Sequence, residues 1–278
     1  MMQNGYPLFS VLMSVYKNEK SEYLKQALSS IIDQSVKPNE ILIVEDGPLP
    51  NELREVLNAY ENNSRISVRR IKLSKNHGLG YALNIGVREA KNDLIARMDT
   101  DDISVHDRFE LQLKAFMDDI NLVLVGGQID EFESNIGNIV SQKSMPCNSK
   151  EILKYAKYRN PFNHPTVMFK KKAVLNVGNY SNIKGFEDYD LWGRLVTNSN
   201  NYANLNKVLV HMRIGNGLYS RRGGIKYLIR YYHLRKRLKK LLLINNREML
   251  LGDIFMTVNA IVPVRIRKIL YKHLLRQS

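Results

Sequence analysis

Three aspartates, Asp99, Asp101 and Asp102, fall within four residues directly after the apolar run LIARM. A fourth, Asp46, follows the apolar run ILIVE and precedes Gly47-Pro48. Glu187 and Asp188 open a stretch with helical spacing that contains the single tryptophan, Trp192. Carboxylates this close repel one another, and a hard divalent cation with oxygen ligands relieves the repulsion. Mg²⁺ or Mn²⁺ suits carboxylates that share the ion with substrate phosphates. The plain alternative for 99–102 is a solvated turn, since Asp favours turns and helix starts. Glu187 and Asp188 also have two readings: complementation of a helix dipole, or a carboxylate general base. The dipole would keep such a base ionised, and neighbouring phosphates would raise its pKa again.

Other candidate chemistry is thinner. His77-Gly78-Leu79-Gly80 lacks the third glycine of a dinucleotide loop, and no GxxxxGK[ST] occurs. Those glycines read as a loop entering a helix. His77, His106, His164 and His211 are scattered, with no HxxxH pair to suggest a metal site.

The elements that must position the carboxylates follow from periodicity. Apolar runs at 9–15, 40–45, 66–73 and 94–98 read as buried strands. Segments 23–34, 51–62 and 79–90 carry apolar residues at helical spacing. This alternation predicts a parallel sheet covered on both faces, with ligands beyond the carboxyl ends of its strands. Further on, 107–117, 149–158 and 187–197 read as helices. Segments 122–125, 164–170 and 208–214 read as strands, and 128–145 as irregular strands with a turn at 135–138.

Composition bounds the class. The 278 residues can build one large domain or two modest ones. Hydrophobic content of 44% and charged content of 25% argue against wholesale disorder. One cysteine, Cys147, excludes an internal disulfide. Residues 1–7 do not read as a secretory signal, and no stretch of 18 apolar residues exists. The charge is uneven. Residues 221–278 hold 15 Lys and Arg against two carboxylates, Glu248 and Asp253, whereas the first 220 residues are nearly neutral. Basic residues interleaved with Tyr227, Leu228, Tyr231, Leu234 and Leu238 read as amphipathic membrane-surface helices. The alternatives for this tail are a basic helical hairpin packed on the body and a nucleic-acid patch, for which no binding module is recognisable.

Seven segments together resemble family 2 glycosyltransferases of the GT-A fold. They are SVLMSVYKNE (10–19), ILIVEDGP (41–48), NHGLGYALNIG (76–86), RMDTDD (97–102), NPFNHPTVMF (160–169), GFEDYDLW (185–192) and VHMRIGNGLYSRRGG (210–224). They occur in the family's order, and the likeness extends to the bacterial group that builds exopolysaccharide and O-antigen, as in amylovoran biosynthesis. The resemblance implies an α/β, Rossmann-like, mostly parallel sheet flanked by helices, with a basic helical extension at the C-terminus. Its GT-A domain would span 1–220, with a nucleotide-binding part to about 105 and an acceptor part from 106, and 221–278 would be the membrane-associating tail.

The resemblance also implies roles. Val15, Tyr16 and Glu19 match the loop that contacts the nucleotide base, and Asp46 the acid that recognises uracil. Lys75, Asn76 and Gly78 sit where the nucleoside and diphosphate approach. Asp99 and Asp101 match the metal-binding DxD, with Asp102 assisting and His211 resembling a late metal ligand. Asp188 matches the catalytic base, with Glu187 beside it. Arg221 and Arg222 resemble basic residues near the diphosphate or the lipid-linked acceptor, and Asn163, His164 and Thr166 fall at acceptor positions. The implied reaction moves a sugar from a UDP-sugar to a polyprenyl-diphosphate-linked glycan. Mn²⁺ or Mg²⁺ assists, the anomeric centre inverts, and the enzyme sits on the cytoplasmic face of a bacterial inner membrane and binds no nucleic acid. Two rival classes are weighed: a metal-dependent phosphotransferase or phosphatase, and a non-enzymatic basic protein that binds membrane or nucleic acid.

Overall fold

In the computed structural model, which describes residues 2–3, 5–63, 66–215 and 224–261, the apolar runs become the centre of one sheet. Strand β3 (Phe9–Val15) lies parallel to β4 (Glu40–Glu45) and to β6 (Leu94–Arg97). β4 in turn pairs in parallel with β5 (Ser67–Lys72). Two short strands, β1 (Met2–Gln3) and β2 (Tyr6–Pro7), form a separate antiparallel pair. The central strands read as unbroken apolar runs because both their faces are buried. Val11, Met13 and Val15 face one core, whereas Leu12 faces the other, and Ile41 and Ile43 alternate with Leu42 and Val44 in the same way.

Helices cover both faces. Helices α1 (Ser21–Ile32), α2 (Asn51–Asn63) and α4 (Arg108–Asp118) bury Leu24, Leu28, Leu53, Leu57, Phe109 and Leu113 in one core. Helices α3 (Leu79–Glu89), α5 (Ser149–Ala156), α6 (Lys171–Asn176) and α7 (Glu187–Asn198) bury Leu83, Val87, Ile152, Val174, Leu191 and Trp192 in the other.

The second half of the sheet is mixed. β8 (Leu124–Phe132) pairs in parallel with β11 (Tyr202–Arg213), antiparallel with β9 (Ile139–Lys143), and antiparallel with β10 (Met168–Lys170). β10 bridges to β6, and β11 ends on the short β7 (Ile103–Ser104), giving the order β5-β4-β3-β6-β10-β8-β11-β7. Three expectations are corrected. Residues 164–166 form a 3₁₀ turn rather than strand, because Pro165 fixes a helical φ at its start. The expected strands at 122–125 and 208–214 are the ends of the longer β8 and β11. Asn204, Asn206 and Lys207 interrupt the apolar pattern of β11, which hides its first half.

The basic segment folds as a hairpin of α8 (Ile225–Lys240) and α9 (Asn246–Ile261). One face of α8 belongs to the main core: Tyr231, Leu234 and Leu238 join the cluster around Trp192. Gly193 of α7 permits this approach, since a Cβ there would meet Leu238 Cδ2 at 2.5 Å. The composition shift near residue 221 therefore does not coincide with an edge of the core.

Candidate active site

The carboxyl ends of β3, β4 and β6 point to one edge of the sheet, where their loops are tied together. The Asp46 N–H donates to Val15 O at 2.8 Å, and Leu12 O accepts from Met98 N at 3.0 Å. Tyr16 stands 40% exposed there. Thr100 Oγ1 donates to Glu19 Oε2 at 2.6 Å, which brings the first loop against the aspartate turn.

Asp46 is buried and builds the neighbouring loop. Its Oδ1 accepts from His77 N at 2.7 Å, and its Oδ2 from Gly78 N and Asn76 Nδ2, both at 2.9 Å. Gly47 is required beside it: its φ is +92°, and a Cβ would meet Asn76 N at 2.7 Å. Glu45 is occupied as well, by Arg70 Nε at 2.6 Å. The carboxylate expected to read uracil thus already receives three donors, and what it does directly is hold Asn76 and Gly78 in place. Lys75, just before them, is exposed.

Asp99, Asp101 and Asp102 converge, with one carboxylate oxygen of each within 4.8 Å of the others. Burial, then Asp99 and Glu19, push the Asp101 carboxyl up to about 7. Burial, then Asp101 and Asp99, raise Asp102 well above the usual range. Asp102 Oδ1 accepts from Arg213 N at 2.8 Å, but its buried Oδ2 has no hydrogen-bond partner among the described residues. The nearby cation is Arg97, fully enclosed, whose two terminal nitrogens both bond Asp99. Converging carboxylates with an unpartnered buried oxygen and too little counter-charge are the donor set that suits a hard divalent ion. Among the described residues His211 does not join them; its Nδ1 lies 3.5 Å from Asp130 Oδ2.

Glu187 and Asp188 open α7. Asp188 Oδ1 accepts from Tyr189 N at 2.7 Å, and Oδ2 accepts from Asn160 Nδ2. Burial raises its pKa, while the Tyr189 N–H, Arg97 and Asn160 pull it back. Glu187, held by Gly185 N at 2.6 Å, is pushed up to about 7 by burial and by Asp188. Arg97 acts electrostatically on both Glu187 and Asp188 as well as on Asp101 and Asp102, so one buried guanidinium serves both acidic groups.

The three acceptor candidates separate. His164 Nε2 meets Tyr180 OH at 2.9 Å, and burial, then Arg97, hold the ring neutral by lowering its pKa well below the ordinary value. Thr166 is fully enclosed, its Oγ1 donating to Asn163 O at 2.8 Å and accepting from Gly127 N at 3.0 Å. Asn163 is buried and donates to Gly127 O at 2.9 Å. The last two therefore fasten the 3₁₀ turn to β8 and face no open surface. Arg221 and Arg222 lie outside the described residues.

Sequence reasoning missed Arg97, Asn160, Tyr180 and Arg213. Arg213 secures the aspartate turn from β11: its N–H holds Asp102, and its Nε donates to Asp101 O at 3.0 Å. The signal for Arg97 was an arginine at the buried end of a strand, where a charge survives only with a partner.

A sequence profile described as "Glycosyl transferase family 2" matches residues 10–178. The chain is 35% identical over 276 residues to an Escherichia coli UDP-Gal:alpha-D-GlcNAc-diphosphoundecaprenol beta-1,3-galactosyltransferase, covering 99% of each. It is 34% identical to the amylovoran biosynthesis glycosyltransferase AmsE of Erwinia amylovora, covering 95% of this chain and 98% of that one. Among solved structures, Staphylococcus aureus TarS 1–349 matches with a TM-score of 0.62 at 17% identity, over 91% of this chain and 71% of that one. The mannosyltransferase PcManGT of Pyrobaculum calidifontis, solved with GDP-Man and Mn²⁺, matches with a TM-score of 0.64 at 14% identity, over 91% and 70%. The fold is that of the GT-A glycosyltransferases. With a parallel-sheet edge that gathers acidic residues from separate strands, and with relatives matched almost end to end, the chain is a glycosyltransferase and belongs to glycosyl transferase family 2.

Proposed function

We propose that this enzyme transfers a sugar, with inversion, from a UDP-sugar to a glycan carried on undecaprenyl diphosphate, during assembly of a bacterial surface polysaccharide. The observation that carries the reading is the convergence of the Asp99, Asp101 and Asp102 carboxylates at the end of β6, with a second acidic pair, Glu187 and Asp188, opening α7. The relatives support the substrate classes: one is named for a UDP-Gal donor and a diphosphoundecaprenol acceptor, and TarS has been solved with UDP.

Asp99 and Asp101 would hold the divalent ion, Mn²⁺ or Mg²⁺, with Asp102 behind them. That ion would supply neutralisation of the charge developing on the departing diphosphate. The protein's own residues do the rest. Tyr16 and the Asn76–Gly78 loop receive the nucleoside. Asp188 Oδ2, oriented by Asn160, takes the proton of the acceptor hydroxyl as its oxygen bonds to the anomeric carbon and the bond to the diphosphate breaks. Inversion follows because attack and departure are in line on opposite faces, with an oxocarbenium-like transition state. His164, neutral and bonded to Tyr180, offers a hydrogen-bonding wall for the sugar. A lipid-anchored acceptor places the work at the cytoplasmic face of the inner membrane, and the excess of cations in 221–278 suits an anionic leaflet.

The test separates binding from transfer. Asp101→Ala should abolish Mn²⁺-dependent UDP binding measured by calorimetry. Asp188→Asn should retain that binding and lose sugar transfer by about 10²–10⁴-fold, the range for removing a general base. Transfer by Asp188→Asn at the wild-type rate would refute the base assignment. A screen of UDP-sugars for Mn²⁺-dependent hydrolysis identifies the donor.

A further inference from the structure

Helix α9 is apolar on two sides. Met249 and Met256 pack inward on the core, and Gly252 lets α9 close against α8, since a Cβ there would meet the Arg235 guanidinium at 2.7 Å. Leu250, Leu251, Ile254, Phe255 and Val258 point the other way and are 53% to 61% exposed. Their spacing of one, four, five and eight residues places them on a single helical face. Scattered exposed apolar residues need no explanation, but five large ones in a row on one face do. A helix that is apolar around most of its circumference belongs in apolar surroundings on both sides.

The charges of the same hairpin say what those surroundings are. Lys226, Lys236, Lys239, Lys240 and Arg247 are exposed on it. Of the two carboxylates in 221–278, Glu248 is already bound to Lys157 Nζ at 2.9 Å, and Asp253 is half-buried. A second copy of this chain would bring an equally basic hairpin against the first, which like-charge repulsion opposes. An anionic surface with an apolar interior satisfies both features, and that is an acidic phospholipid leaflet. No helix of the described residues is long and apolar enough to cross a membrane, so α9 would lie in the plane of the leaflet.

We propose that the outer face of α9, formed by Leu250, Leu251, Ile254, Phe255 and Val258, inserts into an anionic lipid leaflet. This rests on the reading above that the acceptor is lipid-anchored, and it names the contact. The hairpin that inserts is also fastened to α7, the helix that begins with Glu187 and Asp188. Arg237 Nε lies 2.6 Å from Asp190 Oδ1, two residues beyond Asp188, so a seated α9 would set the height of α7 above the lipid headgroups.

The full-length protein decides the matter by co-sedimentation with vesicles of phosphatidylglycerol and phosphatidylcholine, against phosphatidylcholine alone. The wild type should bind the anionic vesicles. The combined variant Leu250→Ser, Ile254→Ser, Phe255→Ser should bind them about tenfold or more weakly, because three inserted side chains are lost. Its thermal melt and its Mn²⁺-dependent UDP binding should be unchanged, which shows that the fold survives. Phe255→Trp should shift its emission to the blue on anionic vesicles, against the constant background of buried Trp192. Binding by the serine variant equal to wild type, or an unmoved Phe255→Trp emission on bound protein, would overturn the insertion while leaving a purely electrostatic membrane contact. A wild type that binds neither vesicle would overturn the membrane reading as well. A wild-type dimer by light scattering that the serine variant converts to monomer, with vesicle binding unaffected, would assign the face to a second copy.

Discussion

Two acidic sites of this fold are treated oppositely by the protein. Asp190, fully buried on α7, is supplied by the chain itself: Arg194 Nη2 lies at 2.7 Å, Arg237 Nε at 2.6 Å, and Ser181 Oγ donates at 2.7 Å. At Asp99, Asp101 and Asp102 only Asp99 is bonded by a guanidinium through its carboxylate, that of Arg97, and among the described residues Asp102 keeps a buried oxygen without a hydrogen-bond partner. The first is one carboxylate matched by two arginines, and it serves the fold. The second is short of positive charge, and that deficit is what a divalent cation would fill. An acidic cluster is thus distinguished by what balances it rather than by the number of its carboxylates.

The comparison can be broken most forcefully at Arg97. Arg97→Met should destabilise the protein by about 3–5 kcal/mol, the cost of removing one partner of a buried charge pair. Mn²⁺ should raise the melting temperature of this variant more than that of the wild type, because an added cation replaces the lost charge. An equal Mn²⁺ effect on both proteins would mean that Arg97 and the ion do not share the same carboxylates. Asp190→Asn should cost about 3 kcal/mol for the same physical reason, but Mn²⁺ should restore nothing. If Mn²⁺ stabilised Asp190→Asn selectively, the two clusters would not be distinct.

A smaller effect concerns pH. Burial raises both carboxyls at the start of α7, Glu187 to about 7. A base with a raised pKa is protonated, and so inactive, at a higher pH than an ordinary carboxylate. The pH profile of kcat/KM should therefore fall on the acid side, with its midpoint above the usual carboxylate range. Asn160→Ala removes a hydrogen bond that favours the charged form of Asp188, so the midpoint should move further up. A midpoint unmoved by Asn160→Ala would detach that residue from the base.

The smallest effect lies at the hairpin turn. Leu242 has a φ of +58°, is 91% exposed, and its N–H donates to Lys239 O at 3.0 Å, so it occupies the left-handed position that ends α8. Glycine is the ordinary residue there. Leu242→Gly should stabilise the protein by about 1 kcal/mol, read as a rise in melting temperature with transfer activity unchanged. A fall would show that the leucine makes a contact worth more than the backbone strain it carries.

Much of the parallel half of the sheet was legible in the linear chain. Strands such as 9–15 and 40–45 are buried on both faces, so each is an unbroken apolar run, and the acidic residues after them mark the carboxyl edge. The segment 164–170 was harder, because apolar content alone does not separate a proline-led 3₁₀ turn from a strand. The helix at 171–176 is too short for periodicity to register. Residues 225–240 and 246–261 of the basic segment are helices, yet the burial of Tyr231, Leu234 and Leu238 around Trp192 is a contact between distant segments that its own pattern does not specify.

Local sequence determined where the candidate carboxylates stand, because carboxylates beside apolar strands and at a helix start are placed by neighbours within a few positions. Only the tertiary structure decided how those carboxylates are balanced. Asp46 became a loop-builder because residues 76–78 fold back onto it, and His211 was directed to Asp130 because β8 and β11 lie side by side. Charge balance depends on the distance between groups remote in sequence, and distance is what the packing of the sheet and its two helical layers supplies.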